Sequence, residues 1–166
     1  NQSYNKFNME GFKKLLNNKS LKVCKTIILI STMSIYGKIN VPVLNENYKK
    51  RNLDNYGRSK LKMEELLKKF SMLNKTRYAI LRLPGVTGGG ERNNLNFLSR
   101  TINQLIQNKE VTIENPNNYF NNLIFSETLA KVVKKILVNK KIRGTFNLGS
   151  TKPMKLIDII IFLKKR

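Results

Sequence analysis

A tyrosine and a lysine four residues apart are the first residues whose types and spacing could do chemistry. Tyr56 and Lys60 lie in the segment Tyr-Gly-Arg-Ser-Lys, and residues four apart share one face of a helix. An ammonium held beside a phenol lowers the pKa of the phenol from about 10, which makes tyrosine a usable acid or base near neutral pH. The pair alone fits a solvated helix face equally well, because a Lys-rich chain with six tyrosines produces this spacing by chance.

Two apolar segments predict the strands that would position this helix. Residues 26–30 form a continuous apolar run that predicts a strand buried on both faces, and residues 78–83 form a second run that ends in a glycine-rich segment. Two strands that flank a helix predict a parallel β–α–β unit, in which chemistry lies at the carboxyl ends of the strands. Thr32 would stand at that rim, where its hydroxyl can hold a substrate hydroxyl or carbonyl near Tyr56.

The order and spacing of three sequence blocks resemble the extended short-chain dehydrogenase/reductases, and among them the NAD-dependent epimerase/dehydratase family. The blocks are Ser31–Gly37 (STMSIYG), Tyr56–Lys60 (YGRSK) and Leu81–Gly90 (LRLPGVTGGG). The similarity extends from about Asn8 to near the C-terminus, and the family works largely on sugar nucleotides. The resemblance implies an α/β fold with a Rossmann-like, doubly wound parallel sheet that binds NAD or NADP, and a small C-terminal α/β region for the substrate.

The same resemblance implies roles for individual residues. Thr32 is expected to be the catalytic serine or threonine, Tyr56 the catalytic acid/base, and Lys60 the residue that binds the nicotinamide ribose and lowers the pKa of Tyr56. Contacts with the cofactor are expected from these three residues and also from Asn8, in the family's Asn-x-x-Gly pattern, and from Pro84. The expected substrate-binding positions are Ser34, Gly85, Asn94 and Asn121.

Several of these positions have a purely structural interpretation or depart from the family pattern. Asn8 fits a polar helix surface equally well, and Asn94 fits a helix cap at least as well. Many members have an arginine where Asn121 stands, and asparagine cannot form the bidentate fork with which arginine grips a pyrophosphate. Gly85 stands where members often have a substrate-contacting side chain, which glycine cannot supply. Members also have an acidic residue where Thr128 stands, although Glu127 just before it keeps one carboxylate. The departures at Asn121 and Thr128 reduce the support for a nucleotide-diphosphate sugar as the substrate.

The segments between the blocks predict how the site is built. Residues 4–18 predict an amphipathic helix, in which Gly11 costs about 1 kcal/mol relative to alanine, so we expect close packing against a neighbour there. Residues 38–55 predict a long loop, which in the family lies over the substrate side. Asp54 or Asn55 can cap the helix that begins near Tyr56.

The glycine-rich turn of a dinucleotide site does not occur before the first strand of this sequence. We therefore expect a sheet truncated at its N-terminal side. Residues 1–90 would form the C-terminal half of the NAD(P)-binding domain, and residues 91–166 mainly the substrate-binding region. The strand at residues 26–30 would then have an unpaired edge and lose part of its cover. We expect the 166-residue chain alone to be marginally stable, aggregation-prone and unable to bind NAD tightly.

Composition limits the classes of function and the cellular location. The net charge of +22 is compatible with nucleic-acid binding, but the lysines are scattered as pairs over most predicted helices, which argues against one binding stripe. A positive cleft would still favour an anionic cofactor and substrate. No apolar run approaches the length of a membrane span, and no signal-peptide pattern occurs. Cys24 is the only cysteine and histidine is absent, which predicts no metal site and a cytoplasmic location.

Three classes of function remain. The first is an NAD(P)-dependent epimerase, dehydratase or reductase that acts on a sugar nucleotide or a related carbinol. The second is an inactive fragment or a binding-only member of the same fold, and the third, with the least support, is a basic nucleic-acid-binding protein. The choice between NAD and NADP, the sugar and the formation of a homodimer stay open.

Overall fold

The computed structural model describes residues 2–39, 41, 43–88, 97–117, 119–120, 123–149 and 154–165. The chain divides into two compact units. The first unit consists of Asn1–Leu83 with Val132–Leu148, and the second of Pro84–Lys131 with Gly149–Arg166. Among the described residues, no helix is both long enough and apolar enough to cross a membrane.

Helices and strands alternate along the chain. The helices are α1 (Gln2–Asn17), α2 (Lys19–Lys22), α3 (Asn55–Asn74), α4 (Phe97–Ile106), α5 (Ser126–Val138) and α6 (Leu156–Lys164), and a 3-10 helix covers Met33–Tyr36. The strands are β1 (Thr26–Thr32), β2 (Arg77–Leu83), β3 (Gly85–Thr87), β4 (Tyr119–Phe120), β5 (Leu123–Phe125), β6 (Gly144–Asn147) and β7 (Met154–Lys155).

The first unit is built on a parallel sheet with the strand order β1-β2-β6. Helix α3 connects β1 to β2, which confirms the predicted parallel β–α–β unit. The prediction that residues 26–30 are buried on both faces is wrong, because the side chain of Ile30 is 41% exposed. In the part of the chain that the structure describes, β1 is an edge strand, so its outer side pairs with no neighbour.

Apolar side chains fix α1 and α3 on one face of this sheet. Leu29 of β1 and Ile80 of β2 are partners in the strand register and lie side by side on that face. They pack with four buried residues of the two helices, Leu16, Met63, Leu67 and Phe70. Burial of each such side chain stabilises the fold by about 1.5–3 kcal/mol, so α3 is held firmly along the sheet.

The first turn of α3 has a defined cap. The carboxylate of Asp54 accepts a hydrogen bond from the backbone N–H of Gly57 at 2.6 Å, and Asp54 has the extended backbone typical of an N-cap. One of the two predicted caps is thereby confirmed. The helix begins at Asn55, which places Tyr56 in its first turn and Lys60 one turn later.

The second unit contains two short strand pairs. β3 pairs in parallel with β5, and β4 pairs antiparallel with β7. The N–H of Ile157, at the start of α6, donates a hydrogen bond to the carbonyl of Pro116 at 3.0 Å. Helix α4 contacts α6 within this unit.

Candidate active site

A cleft of about 490 Å³ lies between α1 and the first turns of α3. One face of α1 forms one wall, because its lining residues follow the three- and four-residue spacing of a helix face. The residues that line the cleft are Asn8, Gly11, Phe12, Leu15, Tyr56, Ser59, Lys60 and Met63. The structure thus brings three predicted site residues, Asn8, Tyr56 and Lys60, to the same cleft.

Lys60 connects α3 to the end of β1. Its Nζ donates a hydrogen bond to the carbonyl oxygen of Ile30 at 3.1 Å, and it lies 5.9 Å from the centroid of the Tyr56 ring. Burial lowers the pKa of Lys60 from its ordinary value. The side chain of Tyr56 is 41% exposed, so a ligand in the cleft can reach its phenol. The pair therefore has a cation held in place beside an accessible phenol.

Thr32 and Ser34 meet at the carboxyl end of β1. Thr32 is the last residue of the strand and caps the 3-10 helix, since its Oγ1 accepts a hydrogen bond from the N–H of Ser34 at 3.2 Å. The same hydroxyl donates to the Oγ of Ser34, also at 3.2 Å. Both side chains are half-buried. This part of the site therefore presents two adjacent hydroxyl groups at the strand end.

Gly57 allows the first turn of α3 to pack directly on the 3-10 helix. A Cβ atom added to Gly57 would collide with the carbonyl oxygen of Ser34, because the two atoms would be closer than real Cβ atoms approach an oxygen. The glycine beside Tyr56 therefore sets the distance between the helix that carries Tyr56 and Lys60 and the segment that carries Ser34.

Gly57→Ala is expected to destabilise the protein by about 1–3 kcal/mol, because α3 must move away from the backbone of Ser34. The free energy of unfolding from urea titration measures the loss. The control is Gly11→Ala in α1, where a Cβ atom would meet nothing within 4 Å, so the predicted close packing of Gly11 is wrong. Alanine should leave stability unchanged there or raise it by up to about 1 kcal/mol. Equal effects of the two substitutions would contradict the proposed role of Gly57.

The structure describes two of the other four predicted positions. Pro84 is half-buried and Gly85 is exposed at the start of β3, and both belong to the second unit. Asn94 and Asn121 lie outside the described residues. The cofactor and substrate contacts expected at these four positions stay predictions.

A buried ion pair under the site was not predicted from the sequence. Arg82 of β2 donates two hydrogen bonds to Glu64 of α3, from Nη2 to Oε2 at 2.8 Å and from Nε to Oε1 at 3.1 Å. Ser31 of β1 also donates to Oε1 of Glu64. A charged residue within the apolar run 78–83 was the available signal, because a buried charge requires a partner.

Arg82 also holds the segments that follow β1. Its Nη1 donates to the hydroxyl of Tyr36 at 2.5 Å and to the carbonyl of Glu46 at 2.9 Å, and Tyr36 donates to Oδ1 of Asn147 at 2.7 Å. Burial raises the pKa of Tyr36, so this phenol keeps its proton. Burial alone would lower the pKa of Arg82, but its hydrogen bonds and charge interactions with Glu64 and Tyr36 together outweigh burial and raise that pKa.

A family model described as the NAD dependent epimerase/dehydratase family matches residues 2–149. No curated protein matches the chain. Many solved structures do match it. UDP-glucuronic acid 4-epimerase from Bacillus cereus, in complex with UDP-glucuronic acid and NAD, is 28% identical with a TM-score of 0.80, over 95% of this chain and 50% of that chain.

Two further solved structures show the same likeness. UDP-N-acetylglucosamine 4-epimerase from Bacillus cereus is 25% identical with a TM-score of 0.74, over 86% of this chain and 49% of that one. UDP-glucose 4-epimerase from Thermotoga maritima, with UDP-glucose, is 20% identical with a TM-score of 0.75, over 93% of this chain and 51% of that chain. The chain thus spans about half the length of these solved proteins. The likenesses confirm the predicted Rossmann-like α/β fold.

Proposed function

Because the chain belongs to the NAD-dependent epimerase/dehydratase family, we propose that it carries the acid/base machinery of an epimerase that acts on a UDP-sugar with NAD. The observation that carries this proposal is the Tyr56–Lys60 pair, which lies in a cleft beside the end of β1. The Bacillus cereus UDP-glucuronic acid 4-epimerase supports the substrate class and the cofactor, because its structure is in complex with UDP-glucuronic acid and NAD.

In this proposal Tyr56 moves the proton of the reaction. Its phenolate takes the proton from a substrate hydroxyl, and it returns the proton when the sugar is restored in the opposite configuration. The ammonium of Lys60 stabilises the phenolate because it is fixed near the ring by the carbonyl of Ile30. The hydroxyl of Thr32 orients the same substrate hydroxyl by a hydrogen bond. NAD, when bound, would supply the acceptor for the hydride of the carbinol carbon and the source from which the hydride returns to the opposite face of that carbon.

The polar side chains of the cleft fit the nicotinamide ribose end of a dinucleotide. Gly11 leaves open space in the wall formed by α1, where a larger side chain would narrow the cleft. The ammonium of Lys60 can donate to ribose hydroxyls, and the amide of Asn8 can donate or accept at the nicotinamide end. The high positive charge of the chain favours a cofactor and a substrate that carry diphosphates.

An epimerisation assay tests the proposal. The polypeptide from the complete reading frame that contains these residues is incubated with NAD and with UDP-glucuronic acid, UDP-glucose or UDP-N-acetylglucosamine. We expect the 4-epimer of one of these substrates, detected by chromatography and NMR. A dehydrated product would change the assignment to a dehydratase. Binding of NAD without any turnover would favour a binding-only member, and neither binding nor turnover would overturn the proposal.

A further inference from the structure

A row of polar side chains crosses the sheet next to the site. Ser31 of β1, Arg82 of β2 and Asn147 of β6 are partners in the strand register. Two residues earlier, the same face of β1 and β2 carries a different register pair, Leu29 and Ile80 of the apolar core. On this face of the sheet the side chains therefore change from apolar to polar at Ser31, one residue before the end of β1, where catalysis is expected.

The ion pair in this row is not explained by stability alone. The side chain of Arg82 is 2% exposed and that of Glu64 is 1% exposed, so both charges are removed from water. Desolvation of two charges offsets most of their attraction, and apolar residues of similar volume often give an equally stable fold. Apolar residues cannot fix the orientation of α3 in the same way. A guanidinium and a carboxylate joined by two parallel hydrogen bonds fix their mutual orientation.

The position of Glu64 on α3 connects that orientation to the site. Glu64 follows Lys60 by one turn and Tyr56 by two, about 6 Å and 12 Å along the helix axis, on the face that turns toward the sheet. Its partner Ser31 stands between Ile30, whose carbonyl accepts the hydrogen bond of Lys60, and the next strand residue, which is the expected catalytic threonine. A rotation or slide of α3 would change these contacts together.

We propose that Glu64 and Arg82 are positioning residues whose two-bond fork fixes α3 on the sheet and thereby holds the Lys60 ammonium at the carbonyl of Ile30 and near the Tyr56 ring. Arg82 fixes the other side of the site as well, since it donates to Tyr36 in the 3-10 helix and to the backbone of Glu46 in the following loop. The catalytic consequence of this inference rests on the proposed function. The geometric consequence does not.

The test is the double variant Glu64→Leu/Arg82→Met, which removes both charges and keeps similar volume. The first measurement is the pH midpoint for acylation of the Lys60 amine, followed by mass spectrometry, which needs no enzymatic activity. Burial lowers the pKa of Lys60 in the parent protein, so a displaced α3 should move this midpoint upward. The control is Glu65→Leu, an exposed neighbour on the same helix, which should leave the midpoint unchanged.

The second measurement is kinetic. We expect kcat of the double variant to fall by about 10²-fold, with little change in KM, because the acid/base group is misplaced while the binding surface is kept. A folded double variant with the parental Lys60 midpoint and the parental kcat would overturn the inference. A shifted midpoint in a protein that has no turnover even as the parent would leave the positioning role intact and refute the proposed function.

A third variant covers the case in which the double variant does not fold. Arg82→Lys keeps the positive charge but loses the bidentate fork. It should shift the Lys60 midpoint in the same direction by a smaller amount and lower kcat in the same sense. A folded Arg82→Lys protein that matches the parent in both measurements would show that the charge alone matters and would overturn the inference.

Discussion

Tyr56→Phe is expected to lower kcat by about 10³-fold in the polypeptide from the complete reading frame, because phenylalanine keeps the ring near Lys60 but removes the proton-transferring hydroxyl. Stability should change by less than about 0.5 kcal/mol, since the side chain is 41% exposed. The change should appear in kcat and in kcat/KM alike if the phenol acts only in the transition state. Steady-state kinetics with the best UDP-sugar measure both quantities.

A matched control for this substitution is Tyr78→Phe. Tyr78 is half-buried near the start of β2, at the opposite end of the strand from the site, so removal of its hydroxyl should leave kcat unchanged. Undiminished turnover in Tyr56→Phe would exclude Tyr56 as the acid/base. Equal losses of kcat in both variants would indicate that removal of any tyrosine hydroxyl disturbs the fold. That result would also contradict the assigned role of Tyr56.

Arg82→Met is expected to destabilise the protein by about 3–5 kcal/mol, because it leaves the carboxylate of Glu64 buried beside Ser31 without its cation. Such a loss is a large share of the stability of a typical domain, which is about 5–15 kcal/mol. The free energy of unfolding from urea titration provides the measurement. The exposed Arg143 gives the control, since Arg143→Met should change stability by less than about 0.5 kcal/mol.

The double variant Glu64→Leu/Arg82→Met completes a mutant cycle with the single variants. It should recover most of the stability that Arg82→Met loses, because no unpaired charge remains buried. Stability losses that simply add would mean that the two side chains do not depend on each other. That result would contradict the ion pair as the reason for the large single-variant effect.

The features that the sequence predicted well follow from periodicity, capping and the order of the elements. The shared face of Tyr56 and Lys60 follows from helical periodicity, and the cap at Asp54 follows from its place before the helix. The parallel pairing of β1 and β2 follows from two apolar runs on either side of one helix. The first two predictions needed only neighbouring residues, and the third needed only the order strand, helix, strand.

The features that the sequence did not predict depend on how the side chains of different elements meet in three dimensions. Glu64 and Arg82 are 18 residues apart and meet only because of how α3 lies over β2. Gly11 was expected to pack closely against a neighbour. A Cβ atom there would instead meet open space, because α1 lines a cleft at this position.

The outer side of β1 has a consequence for every solution measurement on this chain. In the described residues its peptide groups face no neighbouring strand along that side, and Ile30 beside them is 41% exposed. Two copies can pair along this edge through main-chain hydrogen bonds, and the rate of this association rises with protein concentration. An unfolding curve recorded at one dilution would then mix folding with self-association, whereas a dilution series separates the two.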